Sequence, residues 1–222
     1  MPNRIPRFVS LTYCIALLAW CAPVFAESDE SRTFEVGGLL FGDLYTIPGH
    51  HTAAGDGASG FVLRRGYLTA NFTLGAAWYG RARIEVNQDG EFETYSFDTR
   101  LKDLYLARKL GRQQFVIGLS PTLTYDLIES TWGARYLMRT PLDLQGVLSR
   151  DTGITLKGSL TRNGRIGFRA MYGSGLEYAN QGGGGDKLMG ALTWLLTSGV
   201  QIDLYADYEK RTGETDLSLI HI

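Results

Sequence analysis

Two arginines separated by one residue are the clearest candidates for chemistry in this sequence. Arg81 and Arg83 lie in residues 78–87, where every second side chain is polar. On a β-strand, side chains two residues apart point to the same side, about 7 Å from each other. Guanidinium groups so placed can pass an anion along, or can form ion pairs with carboxylates that brace the surrounding structure. The sequence leaves both interpretations open.

Further charged residues occupy the polar positions of other segments in which polar and apolar side chains alternate. The basic ones are Arg65, Lys157 and Arg169. The acidic ones are Glu85, Asp151, Asp203 and Asp207. A polar surface that carries both signs separates solutes through local fields rather than through its overall charge. We predict that all these residues face water, and that the basic ones line a path for solutes.

No pattern typical of catalysis or metal binding is found. His50 and His51 are adjacent, but two neighbouring histidines without a third ligand rarely hold a metal ion. Ser174 lacks the glycine two positions earlier that a nucleophile elbow requires. The glycines at 182–185 are followed by Asp-Lys rather than by the Lys and Ser or Thr of a phosphate-binding loop. We predict neither an enzyme nor a bound cofactor.

β-Strands are predicted to position these residues, because apolar and polar side chains alternate strictly. In residues 78–87 the even positions are Trp, Gly, Ala, Ile and Val, and the odd ones are Tyr, Arg, Arg, Glu and Asn. A helix does not produce this period of two. The alternation recurs in residues 65–74, 151–160, 165–172 and 200–209. With weaker segments at 34–45, 101–110, 113–119 and 188–196, about nine strands are predicted.

The connections between the predicted strands alternate in length. Long ones cover residues 48–60, 88–99, 120–150 and 174–187. Short ones lie around residues 75–77, 111–112, 162–164 and 197–199. In an up-and-down sheet this order places every long loop at one end, as in membrane barrels. Strands of about 8–12 residues also suit a tilted crossing of a bilayer.

A water-soluble sandwich would also alternate, but its strands are usually shorter, about five or six residues. Here the apolar face includes small residues, such as Gly80 and Ala82, and aromatic residues near strand ends, such as Trp78, Tyr172 and Tyr208. Such aromatic residues are typical of the girdles of membrane barrels. The predicted fold class is therefore all-β: a transmembrane antiparallel up-and-down β-barrel, present here in part.

Composition and the N-terminus favour export and exclude nucleic acid as a partner. The 222 residues carry 22 basic and 23 acidic side chains, a net charge of −1, whereas nucleic-acid binding usually needs a basic domain. Residues 1–26 resemble a signal peptide, with Arg4 and Arg7 first, then a mostly apolar stretch, and small residues at Val24 and Ala26. Cleavage would remove both cysteines, so the exported chain would have no disulfide.

The last six residues, 217–222, look foreign to the chain. Leu-Ser-Leu-Ile-His-Ile corresponds to the translation of a transposon adapter used in DNA sequencing. We therefore expect the natural protein to continue beyond about Asp216, with residues 27–216 as the N-terminal portion of the barrel. The alternative is a short apolar C-terminal strand.

An ordered set of short motifs runs through most of residues 36–209. The motifs are Lys102-Asp-Leu-Tyr-Leu106, Gly118-Leu-Ser-Pro-Thr-Leu-Thr124, Thr131-Trp-Gly-Ala-Arg135, Arg139-Thr-Pro-Leu-Asp143, Ser149-Arg-Asp-Thr-Gly-Ile154 and Ala206-Asp-Tyr208. This set resembles the phosphate-selective O/P-type outer-membrane porins and their general-porin relatives. No single motif is specific, so the resemblance depends on their order.

The resemblance implies a trimeric barrel of about sixteen strands, whose third outer loop folds into the lumen. Residues 120–150 correspond to that loop, whose apolar content suits packing inside the pore better than exposure to water. Arg135 is then the first candidate for a constriction charge, with Trp132 on the same loop. Arg135 can equally tether the loop to a carboxylate of the wall. The phosphate-binding arginines of the family have no residue-by-residue match, so phosphate selectivity is not implied.

The sequence thus predicts a porin in the outer membrane of a Gram-negative cell. Small hydrophilic solutes, including anions, would diffuse passively through a water-filled channel surrounded by outer-membrane lipid. The alternative is a plugged barrel with a structural or adhesive role. A third hypothesis, an outer-membrane hydrolase, requires a Ser/His pair at the outer strand ends.

Overall fold

The computed structural model describes residues 32–51, 53, 55–88, 96–176, 186–197, 199–211 and 214–221. The predicted signal peptide and the glycines at 182–185 lie outside the described residues. Within this part of the chain, ten strands form one antiparallel sheet in which each strand pairs with its neighbours in sequence. The sheet is open, with β1 and β10 at its edges.

The ten strands carry the regular structure of the molecule, with two helices between β5 and β6. The strands are β1 (Arg32–Thr46), β2 (Ser59–Leu74), β3 (Trp78–Gln88), β4 (Phe97–Leu110), β5 (Gln113–Pro121), β6 (Arg150–Ser159), β7 (Ile166–Gly173), β8 (Asp186–Thr197), β9 (Val200–Arg211) and β10 (Glu214–His221). The predicted all-β, up-and-down antiparallel arrangement is confirmed. The nine predicted segments correspond to β1–β9, and β10 is an additional strand. The adapter interpretation of residues 217–222 stays a prediction.

Short and long connections alternate as the sequence indicates. The connections after even-numbered strands are short, at residues 75–77, 111–112, 160–165 and 198–199. Long ones follow β1, β3, β5 and β7, and only two residues join β9 to β10. Gly111 begins its two-residue turn with a φ of 62°, a left-handed conformation that glycine adopts without strain.

The two faces of the sheet differ sharply in character, and we call them the polar face and the apolar face. On the apolar face, one row crosses five strands through Ile117, Ile154, Tyr172, Leu188 and Tyr208. Each of these side chains is 39–56% exposed. Charged residues of the polar face are instead covered by the rest of the molecule, as described below. Burial is therefore inverted relative to a soluble globular protein.

Residues 122–149, which we call the helical segment, lie against the polar face. They contain helix α1 (Leu123–Trp132), which ends at Gly133 in a left-handed conformation, and the short helix α2 (Pro141–Leu144). Leu123 of α1 packs with Met171, Met189, Ala191 and Tyr205, and this cluster is the small apolar core. Because Met189 and Ala191 face the helix, β8 is apolar on both sides.

Neither helix of the described residues combines the length and the apolar character that crossing a membrane demands. The sequence analysis predicts a single long loop over residues 120–150. In the structure, Ser120 and Pro121 extend β5, and Arg150 begins β6.

Candidate functional site

Two β-bulges place consecutive charged residues on the polar face. Arg64 is the extra residue where β1 pairs with β2, and Lys102 is the extra residue where β3 pairs with β4. A bulge allows two neighbouring side chains to point to one side of a strand. Arg64 therefore accompanies Arg65, and Lys102 accompanies Asp103. Alternation in the sequence predicts only one residue of each pair on this face.

Arg64 holds the far end of the helical segment. Its guanidinium pairs with Asp43 of β1 and donates to the carbonyl oxygens of Tyr136 at 2.5 Å and Leu137 at 3.2 Å. These carbonyls belong to residues that no helix or strand includes, so they need outside donors. The bulge in β2 thus supplies the cation that fixes this part of the helical segment to the sheet.

Arg150 joins the sheet to α1. Its side chain is 1% exposed. Its Nε donates to Asp103 Oδ1 at 2.6 Å, and its Nη2 donates to Glu129 Oε2 of α1 at 3.0 Å. Loss of one partner of a buried ion pair typically costs about 3–5 kcal/mol, because the remaining charge stays buried. Arg150 therefore fixes the height of α1 above the sheet.

Arg135 continues this chain of ion pairs within the helical segment. Its Nη2 lies 3.6 Å from Glu129 Oε1, and its Nη1 donates to Asp143 Oδ2 at 2.5 Å. Among the described residues, both carboxylates that pair with Arg135 belong to the helical segment rather than to the sheet. In the sheet, Tyr67 of β2 lines the same cavity as Arg135.

Asp143 is the last acid in this series of ion pairs, and it also caps α2. Its Oδ2 accepts hydrogen bonds from the backbone N of Thr140 at 2.9 Å and from Thr140 Oγ1 at 2.8 Å. Burial acts to raise the pKa of Asp143, but the hydrogen bonds from Thr140 and the charge of Arg135 lower it to about 2. The nearby phenol of Tyr125 has a raised pKa, because it is buried and faces the Asp143 carboxylate. An ionised carboxylate thus joins Arg135 to the start of α2 within the helical segment.

A second charged group lies within the sheet itself. Glu85 of β3 is fully buried and pairs with Lys102 Nζ at 3.1 Å and with Arg100 Nη2 at 2.5 Å. Arg65, two strands away from Arg100, donates to Asn87 Oδ1 at 3.4 Å and to the Tyr67 hydroxyl at 3.3 Å. These contacts stabilise the polar face near the end of β3.

Arg81 and Arg83 differ in what they contact. Arg83 donates from Nε to Thr69 Oγ1 at 2.9 Å, and its Nη1 lies 3.4 Å from Asp103. Arg81 donates from Nε to Asn71 Oδ1 at 2.8 Å, a neutral partner. Within the described part of the chain, no carboxylate lies within 4.0 Å of Arg81. The charge of Arg81 is therefore less compensated than the charge of Arg83.

Three of the predicted site residues meet at one cavity, which we call the basic cavity. It has a volume of about 410 Å³ and lies between β1–β3 and the helical segment. Its lining includes Arg81, Arg83, Arg135, Glu129, Tyr67 and Phe41. This volume is within the range of about 300–1,000 Å³ found for small-molecule sites. The basic cavity is the candidate functional site.

Lys157 and Arg169 lie farther along the polar face, under the start of α1. Lys157 Nζ is 3.1 Å from Asp126 Oδ2, and Arg169 Nη1 donates to the carbonyl of Leu123 at 3.0 Å. Arg169 also pairs with Asp203. Both residues line a cavity of about 70 Å³ that Arg81 shares. They attach α1 to the sheet and leave little space for a solute.

Trp132 and the two histidines lie away from the basic cavity. Trp132 ends α1, beside a second cavity of about 410 Å³ lined by Leu127, Ile128 and Pro141. The rings of His50 and His51 are 4.2 Å apart. The residues that the structure describes contain no group of three His, Cys, Asp or Glu side chains placed to hold a metal ion.

Sequence reasoning missed the residues that position the site. They are Arg64, Arg100, Lys102, Asp103, Glu129 and Arg150. Adjacent charged residues inside a strand pattern, as in Arg64-Arg65 and Lys102-Asp103, were the available signal for a bulge. Arg150 lies in one of the motifs given above, but its pairing with Glu129 has no signal in the sequence, because it depends on how the helical segment folds.

Comparisons with known proteins leave the family of this chain open. No family model matches the chain, and no curated protein matches it either. The resemblance to the O/P-type porins therefore stays a prediction that depends on the order of its motifs.

Proposed function

We propose that this protein is an outer-membrane porin through which small hydrophilic solutes, including anions, diffuse passively. The observation that carries the proposal is the inverted burial of the sheet. Leu68, Leu188 and Trp194 of the apolar face are 52–56% exposed, whereas Glu85 and Asp103 of the polar face are fully buried. This distribution suits a sheet in a bilayer, because acyl chains cover its outer side, and its inner side can hold polar groups, water and a segment folded inside.

The free-energy cost of exposing the apolar face to water supports a lipid environment for it. Apolar surface left in water costs about 25 cal/mol per Å², and soluble monomers rarely expose a continuous apolar patch larger than a few hundred Å². The row described above crosses five strands without a charged residue. Eight of the ten described strands have 9 to 16 residues, which suffices for a tilted crossing of about 9–11 residues, and the other two have 8. Lipid is thus the partner that we propose for this face.

The polar face then lines the channel, and the helical segment narrows it. Selectivity in such a channel depends on its width and on the charges at its narrowest part. Arg81, Arg83 and Arg135 place three cations at the basic cavity, against one lining carboxylate, Glu129. We therefore propose a preference for anions. In this proposal further strands complete the open sheet into a closed barrel, three barrels assemble, and a signal peptide directs export.

A plugged barrel with a structural or adhesive role is the second candidate. The observation that favours it is the attachment of the helical segment, which is fixed at one end by Arg64, at α1 by Arg150, and at α2 through Asp143. A segment held at so many points resists displacement. Such a barrel would present the same two faces to lipid and to water.

Conductance across planar lipid bilayers separates these two candidates. The full-length protein is folded in detergent, shown to be β-rich by circular dichroism, and added to a bilayer in KCl. Ohmic steps of constant size are expected for the porin. A folded protein that inserts and gives no steps would support the plugged barrel and overturn the porin.

Ion selectivity tests the role of Arg81. In a KCl gradient, the reversal potential gives the ratio of Cl⁻ to K⁺ permeability. Arg81→Ala is expected to lower this ratio about twofold or more, because an uncompensated charge beside the solute path is lost. Arg162→Ala, in the exposed turn between β6 and β7, is the control and is expected to leave the ratio unchanged. An unchanged ratio in Arg81→Ala would show that Arg81 does not select solutes.

A further inference from the structure

The basic cavity has an apolar side that a simple anion would not use. Leu39 and Phe41 of β1 lie on it, and the ring of Tyr67 adjoins them. The rings of Phe41 and Tyr67 meet edge to face, with centroids 6.1 Å apart and planes at 87°. Leu39 is 53% exposed, so its side chain is open to a ligand. This side can therefore cover a flat apolar group.

The same cavity also carries cationic groups, and these are held in place; the Arg83 guanidinium lies over the ring of Tyr67, 5.6 Å from its centroid. The Nε atoms of Arg81 and Arg83 donate to Asn71 and Thr69, and these bonds orient both guanidinium groups. The Nη groups of Arg81 have no carboxylate within 4.0 Å among the described residues. Glu129, which also lines the cavity, is engaged by Arg150 at 3.0 Å and by Arg135 at 3.6 Å. A bound carboxylate therefore meets free donors near Arg81.

We infer that the basic cavity binds small aromatic carboxylates, with the ring against Leu39, Phe41 and Tyr67 and the carboxylate at Arg81 and Arg83. This inference rests on the proposed function, because it places the ligand on the solute path of the channel. Guanidinium groups bind a planar carboxylate through two parallel hydrogen bonds. Aromatic rings pair edge to face or offset at centroid distances of about 4.5–7 Å.

Other classes of solute fit the cavity less well. An inorganic anion such as phosphate gains nothing from the apolar side and loses its water there. A cation faces Arg81, whose charge is not compensated by a carboxylate of the described residues. A neutral sugar leaves the Arg81 guanidinium without an anionic partner. The juxtaposition of an aromatic side with fixed arginines is what selects a ring that carries a carboxylate.

Calorimetric titration of the folded protein in detergent tests the inference without requiring a pore. The probes are benzoate, acetate and phosphate, at equal ionic strength. Benzoate is expected to bind about tenfold more tightly than acetate, the gain expected from burying one ring. Equal affinities for benzoate and acetate, or tighter binding of phosphate, would overturn the inference.

Two variants locate the site, and each has a matched control. Phe41→Ala is expected to weaken benzoate binding about threefold to tenfold and to leave acetate binding unchanged. Phe34→Ala, on the same strand but on the apolar face, is the control. Arg81→Ala is expected to weaken both carboxylates, whereas Arg162→Ala is not. Benzoate binding that survives both Phe41→Ala and Arg81→Ala would place the ligand elsewhere and overturn the assignment.

Conductance in the presence of benzoate distinguishes failure of the site from failure of the porin proposal. Steps in KCl that benzoate blocks and acetate does not would support both. Steps without benzoate binding in the titration would overturn the site alone. Benzoate binding, with loss in Phe41→Ala, by a protein that gives no steps would overturn the porin and support the site.

Discussion

Arg150 is the middle residue of a chain of alternating charges that runs from the sheet into the helical segment. The chain passes from Arg83 to Asp103, Arg150, Glu129 and Arg135. Each acid lies between two bases, with one base near each of its carboxylate oxygens, so its negative charge is opposed on two sides. The position of the helical segment therefore depends on ion pairs at this end of the sheet, and on the apolar cluster at Leu123 at the other.

Asp143 makes the fold of the helical segment sensitive to strong acid. Its folded pKa of about 2 lies below its ordinary value of 3.8, so the stabilisation is present above about pH 4 and is lost as the pH falls through about 2. This shift corresponds to about 2 kcal/mol. Hydrogen exchange of residues 133–146, corrected for the intrinsic effect of pH, is expected to show protection that falls between pH 4 and pH 2.

The variant Asp143→Asn should show lower protection at pH 7 and no further loss in this range. Asp126→Asn is the control, because the Asp126 side chain is 45% exposed and its pair with Lys157 is accessible to solvent. Protection in the unchanged protein that does not vary between pH 4 and pH 2 would contradict the role given to Asp143.

The faces of single residues were predictable, but their partners were not. Arg65, Arg81, Arg83, Lys157 and Arg169 lie on the polar face, as their positions in the alternating pattern indicate. The pattern has a period of two, so one extra residue shifts it, and the side chain at the bulge escapes prediction. Partners such as Glu129 come from the helical segment, whose fold depends on contacts distant in sequence.

The motif at the start of β6 has a structural reason at each of its main positions. Arg150 carries the ion pairs described above. Asp151 accepts hydrogen bonds from Ser174 Oγ at 2.6 Å and from the backbone N of Gly175 at 2.9 Å, so it fixes the beginning of the connection after β7. Gly153 lies where β6 and β7 approach closely. These roles concern the sheet and its loops rather than a solute.

Replacement of Gly153 by alanine is expected to disturb the pairing of β6 with β7. A Cβ atom at this position would lie 2.1 Å from the carbonyl oxygen of Tyr172, so the strands must move apart. We expect a loss of about 1–3 kcal/mol in the free energy of unfolding, the usual cost of forcing extra atoms into a packed site. Urea denaturation of the protein in detergent measures this loss.

Gly190→Ala is the matched control for this experiment. Gly190 also lies within a strand, and a Cβ atom there would meet nothing within 4 Å. Its replacement is expected to leave stability unchanged or to raise it slightly, since alanine restricts the unfolded chain. Similar losses in both variants would mean that any side chain is harmful in these strands, and that close approach is not the cause.

Strands were easier to predict than the helical segment for a physical reason. A strand with two different faces shows its period directly in the sequence, as β2, β3, β6, β7 and β9 do, whereas β1, β4, β5 and β8 were predicted from weaker segments. Helix α1 has no side-chain hydrogen bond at its N-cap, Thr122, so capping at this end adds little to its stability. It is stabilised by contacts of Leu123 and Glu129 with the sheet, and these appear only once the chain is folded.

At the scale of the whole molecule, the sheet is more polar in its covered regions than on its exposed surface. Buried Glu85, Asp103 and Arg150 form ion pairs with one another or with neighbouring bases and acids, whereas apolar side chains such as Leu68, Leu188 and Trp194 are about half exposed. The predicted division into an apolar and a polar face agrees with this arrangement, but Glu85, Asp151 and Asp203, which were predicted to face water, are buried. The alternating pattern does not show what covers each face of the sheet. The same alternation occurs when the apolar face packs against a protein core and when it contacts lipid.

A charge on the apolar face separates these two partners. Leu104 lies near the middle of β4 and is 51% exposed. If lipid covers this face, Leu104→Arg is expected to cost about 2–4 kcal/mol in the free energy of unfolding from lipid vesicles, because an arginine at mid-bilayer is poorly solvated. Leu160→Arg is the control, since Leu160 is 58% exposed and follows β6 at the short-turn end of the sheet, where an arginine reaches water and costs about 0–1 kcal/mol. Urea titration in vesicles of matched composition measures both values. If Leu104→Arg is tolerated as well as Leu160→Arg, and the protein stays monomeric in buffer without detergent, the apolar face does not contact lipid and the porin proposal fails with it.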